Sequence, residues 1–262
     1  MARFCPLFSG SSGNCVIAGG ADSFVMIDAG MSCRKITTAL AERGLELSRL
    51  AAIFVTHEHS DHVNALRTLC KKIHVPVYAT AGTLCSISAM GFLDGFDNTA
   101  VCPPDGIEAG GIFVKPFATM HDTAESCGYT IATADGRKIA VMTDTGCVTD
   151  AMRTAISGSD LVYIESNHDV EMLRTGPYPP YLKQRIAGVR GHLSNVDCAS
   201  ELPALVESGS TRFILAHLSR ENNIPAVART AALAALRSTG MCEGRDFSLD
   251  IATPDGLPLM VF

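Results

Sequence analysis

The segment AAIFVTHEHSDH, residues 51–62, constrains the fold more than any other: five apolar residues run without a break towards three histidines and an aspartate packed into six positions. A short continuous apolar run suits a strand buried on both faces. Beyond it, Val63, Leu66, Leu69 and Cys70 recur at helical spacing. The cluster therefore falls on a strand-to-helix loop, where open α/β sheets commonly place sites.

Imidazoles crowded this closely repel one another when protonated and serve no packing need, so they read as metal ligands rather than as a polar loop. On extended backbone, residues i and i+2 point the same way, so His57 and His59 can bind one ion together, while Asp61 and His62 at the turn can face a second. Further ligands are expected at other strand ends, and three fit: His121 after IFVKPFATM, Asp144 after KIAVMT and His217 after RFILA.

The rest of the chain continues a mixed pattern. CVIAG and DSFVMIDAG read as strands around a Gly-Gly turn, and SCRKITTALAERG as a helix between N-cap Ser32 and Gly44. VPVYA, IFVKPFA, CGYTIAT, KIAVMTD, DLVYIES and RFILAH follow as strands. Helices are expected near 81–90, through much of the stretch up to residue 207, and near 225–238. The end, FSLDIAT and LPLMVF, reads as a hairpin around Asp255-Gly256. With 262 residues, 47% hydrophobic, the chain can build one large α/β domain or two small ones. No linker, low-complexity segment or strong repeat interrupts it, so one domain over 1–262 is expected.

Ten cysteines without a C-x-x-C pair suggest buried, reduced thiols of a cytosolic protein. MARFCPLFSGSSGNC lacks the apolar core of a signal peptide, and no apolar run approaches the ~20 residues of a membrane span. A net charge of −6 argues against indiscriminate binding to polyanions, although bound cations and a local basic strip can still attract phosphate.

Asp28 in IDAG, the HEHSDH run, His121, Asp144 in TDTG and His217 together resemble the metallo-β-lactamase fold superfamily. The resemblance spans the whole chain and implies a four-layer αβ/βα sandwich of two mixed sheets with helices outside. It also implies that His57, His59 and His121 bind one metal, that Asp61, His62 and His217 bind a second, that Asp144 bridges them, and that Asp28 orients the histidine loop. SGSSGNC at 9–15, IESNHDVEML at 164–173, GPYPPYLKQRI at 176–186, GHLSN at 191–195 and AHLSRENN at 216–223 narrow it to the YycJ/WalJ type, a bacterial group associated with 5′-directed DNA exonuclease activity.

Phosphodiester hydrolysis suits the residues. Two divalent cations sharing a carboxylate, Zn²⁺ or Mn²⁺ by ligand chemistry, can deprotonate a bridging water and polarise a phosphoryl oxygen. Asp61 can also orient that nucleophile. Glu165 and His192 are similar to the Glu-His pair of tRNA 3′-processing relatives, which implies that Glu165 holds His192 as an imidazolium that protonates the leaving group; the plainer alternatives are a helix cap and a locally packed loop histidine. His168 touches phosphate, binds metal or starts a helix. Ser11, Ser12 and Asn14 face phosphate or merely form a turn, and Arg174, Lys183, Arg185 and Arg190 form a strip for DNA backbone or a solvated face. His74 reads as structural. Two rival readings are a thioester or lactone hydrolase, which predicts an enclosed apolar pocket, and a non-catalytic metal-binding partner protein.

Overall fold

The computed structural model describes residues 1–262. Its first half runs β1 (Arg3–Phe8), β2 (Cys15–Gly19), β3 (Phe24–Ile27), α1 (Cys33–Glu42), β4 (Leu50–Phe54), α2 (Ser60–Val63), α3 (Leu66–Cys70), β5 (Val77–Ala79), α4 (Ala81–Ala89) and β6 (Thr99–Val101). The second runs β7 (Ile107–Ala109), β8 (Ile112–Ala118), β9 (Cys127–Ala132), β10 (Lys138–Met142), α5 (Asp150–Ile156), β11 (Leu161–Glu165), α6 (Val170–Thr175), α7 (Pro180–Ile186), α8 (Asn195–Glu207), β12 (Arg212–Ala216), α9 (Pro225–Ser238), β13 (Ser248–Ile251) and β14 (Met260–Val261).

Alternation along the central strands builds the layers. In β4, Ala52 and Phe54 join one buried cluster while Ile53 joins another; in β11, Leu161 and Tyr163 face one way and Val162 and Ile164 the other. Strands buried on both faces need apolar residues throughout, which is why these stretches read as unbroken runs. Two seven-stranded sheets result, ordered β14-β1-β2-β3-β4-β5-β6 and β13-β12-β11-β10-β9-β8-β7. One apolar layer, including Phe4, Phe54, Tyr129, Tyr163 and Ile214, lies between them. Outer layers join the first sheet to α1, α3 and α4, and the second to α5, α8 and α9. The expected four-layer sandwich of mixed sheets is present.

Ser32 caps α1 by accepting from Lys35 N, and Gly44 follows in left-handed conformation at φ 67°, as the sequence predicts. Four elements escape the sequence reading: β1, where Pro6 interrupts the strand signal, the short edge strands β6 and β7, and α5. The single helix expected after the histidines is two, α2 and α3. Between them the backbone turns to its neighbour: Ala65 N donates to Ala29 O at 2.8 Å, and Ala29 N to His62 O at 2.7 Å.

The terminal hairpin does not form. The turn is there, with a Thr253–Gly256 bridge, but β13 pairs parallel with β12 while β14 pairs antiparallel with β1 in the other sheet. Leu257 N donates to Pro6 O at 2.9 Å, drawing the chain across. Each strand thereby satisfies the open edge of a different sheet, which a hairpin on one sheet would leave unpaired. Cys85 and Cys242 are exposed, against the expectation of buried thiols, and all ten cysteines are free. No helix is long and apolar enough to cross a membrane.

Candidate metal centre

The candidate ligands converge at one edge of the sandwich. His57, His59, Asp61 and His62 follow β4; His121, Asp144 and His217 follow β8, β10 and β12. His57, His59 and His121 have potential ligand atoms within 4.8 Å of one another, and so do Asp61, His62 and His217. His57, His62 and Asp144 form a third such group that links the two. His74 lies outside every group.

Three polar atoms decide whether cations fit here. His57 Nε2, Asp144 Oδ2 and His217 Nε2 are buried without a hydrogen-bond partner. An unsatisfied buried polar atom costs about 1–3 kcal/mol, so several converging in one cluster are expected only where a ligand satisfies them. Nitrogen and carboxylate oxygen in this proportion suit divalent cations.

The opposite ring nitrogens are held from behind, which aims the second nitrogen of each ring inward. His62 Nδ1 lies 2.8 Å from Asp28 Oδ2, and Asp28 also accepts from Thr56 N and Thr56 Oγ1, each at 2.8 Å. Thr56 Oγ1 is 3.0 Å from His57 Nδ1. His121 Nδ1 sits 2.9 Å from the carbonyl of Gly191. Glu165 serves two rings through one oxygen: Oε1 is 2.8 Å from His192 Nδ1 and 2.9 Å from His217 Nδ1. Its Oε2 accepts from Thr145 N and Leu193 N.

Charge is arranged to match. Burial, together with the neighbouring imidazoles, holds His57 well below the ordinary histidine range. Burial works against charge on His62 and His217 too, yet Asp144 and the other nearby carboxylates raise both well above it. Asp144 is itself held well below the usual carboxylate range, against burial, by His217 and His62. Burial likewise acts to raise Glu165, but His192 and His217 bring it down to about 2. Glu165 thus faces both rings as a carboxylate and fixes the orientation of His192 through Nδ1.

Several expected substrate contacts are rearranged. Ser11 and Arg185 line the cavity of about 320 Å³ over the cluster, alongside Tyr178, Asn167 and Ser219. These walls are largely polar, unlike the enclosed apolar pocket that a thioester or lactone hydrolase predicts. Asn14 points inward: its Nδ2 lies 3.2 Å from Asp61 Oδ2 and 3.0 Å from His62 Nε2, so it braces ligands and does not face phosphate. Ser12 accepts from Arg220 at 2.9 Å. His168 is buried, outside the metal groups, on the wall of a second cavity.

The basic strip is not continuous. Arg190 is spent on the carbonyls of His121 and Thr123, Arg185 pairs with Asp122, and Arg174 pairs with Glu171. Lys183 Nζ donates to Arg174 O. Ser9, Thr56 and Asn167 escape the sequence reading: Ser9 Oγ accepts from His217 N at 2.9 Å, and Asn167 donates to His217 O at 2.9 Å. Thr56 alone had a sequence signal, standing between the strand and its first histidine.

The family description "Beta-lactamase superfamily domain" matches residues 24–218. The chain belongs to the β-lactamase superfamily. Within it, exodeoxyribonuclease YycJ of Bacillus anthracis is 36% identical over 256 residues, covering 96% of each chain. Exodeoxyribonuclease WalJ of Streptococcus pneumoniae is 34% identical, covering 97% of this chain and 95% of its own. Among solved structures, the superfamily fold recurs in the metallo-β-lactamase fold protein YhfI of Bacillus subtilis, with TM-score 0.73 and 15% identity over 99% of this chain and 98% of that one. Human tRNase Z, short form, gives TM-score 0.65 and 18% identity over 99% and 98%.

Proposed function

We propose that the chain is one domain that hydrolyses phosphodiesters with two divalent cations, Zn²⁺ or Mn²⁺, and acts as a 5′→3′ exonuclease on DNA. The observation that carries this reading is the Glu165–His192 pair at 2.8 Å beside the metal cluster, because expelling an alkoxide from an ordinary phosphodiester needs a proton donor as well as cations. The names of the YycJ and WalJ relatives support DNA as the substrate.

In this reading His57, His59 and His121 would hold one cation, Asp61, His62 and His217 would hold the other, and Asp144 would contribute to both. Bound there, the cations supply a hydroxide nucleophile at neutral pH and offset charge on phosphoryl oxygen. Asp61, braced by Asn14, orients the attacking oxygen. His192, with Nδ1 on Glu165, carries its other nitrogen towards the leaving oxygen, and Ser11 and Arg185 on the cavity wall meet phosphate.

End-labelled single-stranded and duplex DNA, incubated with protein stripped of metal and refilled with Zn²⁺ or Mn²⁺, tests this directly. Label released from 5′ ends, with two ions per chain by elemental analysis, is expected. No cleavage with either metal, or one ion at saturation, overturns it.

A further inference from the structure

The short helix α7 separates two cavities. Leu182, Arg185 and Ile186 face the metal site, whereas Pro180, Lys183, Gln184 and Ala187 line a second cavity of about 670 Å³. Only His192 lines both, with its side chain 18% exposed. That shared residue sets the direction of the reaction. A donor must touch the oxygen that departs, so whatever is attached to that oxygen extends past His192, away from the cluster and into the second cavity.

The walls there suit one particular kind of leaving group. Leu173, Pro180 and Ala187 offer apolar surface for a base and sugar, and Lys183 puts a cation on the wall for a phosphate, while Arg174 beside it is paired with Glu171 and Asp197 adds one carboxylate. His168, 3% exposed, also lines the cavity, and its Nδ1 is buried without a hydrogen-bond partner. Hydrogen-bonding capacity left over in so enclosed a ring points to a polar ligand.

We propose that the cavity behind α7 receives the departing 5′-terminal nucleotide, so that each cleavage releases one deoxynucleoside 5′-monophosphate. This rests on the nuclease reading above. A water oxygen bonds to phosphorus and the P–O3′ bond breaks with its electron pair on O3′, which takes the proton held on His192. The water's own proton passes to solvent, and the shortened strand keeps a 5′-phosphate. His192 regains a proton from solvent before the next turnover. The reach of the cavity would then set the product length at a single nucleotide.

The test uses 2′-deoxyadenosine 5′-monophosphate as a probe, measured by calorimetry on the full chain in the presence of chelator, so that binding is read without catalysis. Ala187→Trp fills the cavity from the exposed end of α7, and Lys183→Glu reverses charge on its wall. Each is expected to weaken binding by ~10-fold or more, the scale of one lost contact of this kind. On 5′-labelled DNA with metal restored, the unaltered chain is expected to release label as mononucleotide, and both variants to do so ~10-fold more slowly. If DNA is cut but neither substitution weakens binding, or if label leaves as longer fragments, the subsite is overturned and the nuclease reading stands. If no DNA is cut with either metal, both fall.

Discussion

VMIDAG at 25–30 and VMTDTG at 141–146 are near-copies in sequence and in setting, yet their aspartates do different work. Asp28 follows β3 and Asp144 follows β10, both in the left-handed region, at φ 62° and 57°. Each strand stands where its sheet changes from antiparallel to parallel pairing: β3 between β2 and β4, β10 between β9 and β11. Even the glycines correspond. A Cβ on Gly30 would lie 1.5 Å from Asp61 O, and one on Gly146 would lie 2.2 Å from Gly188 O. Each motif thus admits a loop that carries site residues, Asp61 in one case and His192 in the other.

Neighbours make the difference. Asp28 is fully engaged by Thr56 and His62, whereas Asp144 Oδ2 is buried with no partner. A satisfied carboxylate positions its partners, and an unsatisfied one among imidazoles is open to a ligand. Left-handed backbone at a residue with a Cβ costs of order 1–3 kcal/mol and persists where the surroundings over-determine it. His217, at φ 53°, is the third such residue, and it too is a candidate ligand.

The two motifs should part most sharply at their aspartates. Asp144→Ala is expected to lower DNA hydrolysis by ~10³-fold or more with the fold intact by circular dichroism, because charge stabilisation worth several kcal/mol is lost. His59→Ala should behave alike, since it too removes a ligand from a loop outside the core. Neither loss should yield to excess metal. Turnover restored in Asp144→Ala by metal would show that it only positions, as Asp28 does.

Next in size is the second motif's hold on His192. His192→Ala is expected to slow DNA cleavage by ~10²-fold while sparing bis-p-nitrophenyl phosphate, whose leaving group departs without a proton. Gly146→Ala should slow DNA cleavage more than cleavage of the activated ester by displacing the 188–191 segment that carries His192, with a smaller loss on both because Gly191 O also holds His121. Gly30→Ala should instead lower metal content, because it displaces Asp61. Identical profiles for the two glycine variants would remove the distinction between the motifs. Glu165→Gln is expected to impair both functions, since its Oε1 also meets His217.

Asp28→Asn should weaken metal affinity by ~10–100-fold, the usual cost of losing a partner behind a ligand, with activity restored at saturating metal. Metal titration followed by activity separates it from Asp144. The smallest effects belong to the two tyrosines that bridge the sheets beneath the site: Tyr129 Oη donates to Val55 O at 2.7 Å and Tyr163 Oη to Ser9 Oγ at 2.9 Å. Each Tyr→Phe change is expected to cost about 1 kcal/mol in denaturant unfolding. Only Tyr163→Phe should also loosen metal retention, through Ser9 and His217.

The strands and the positions of the candidate ligands at their ends were legible in the sequence because both are written locally, whereas the sandwich architecture came from the resemblance of the whole set of motifs. Burial on two faces demands unbroken apolar runs, and a histidine or aspartate immediately beyond such a run can only stand at a strand end. What lies opposite a strand end across a sheet interface leaves no local trace. Thus the tertiary structure alone sent β13 and β14 to different sheets, turned Asn14 inward, split the four cations over α6, α7 and the loop after it, and set His168 and His192 on the wall of one cavity. For the same reason VMIDAG and VMTDTG determine a bend and an aspartate by themselves, while only the side chains brought up from β4, β11 and β12 decide which aspartate braces a histidine and which is left free to bind a cation.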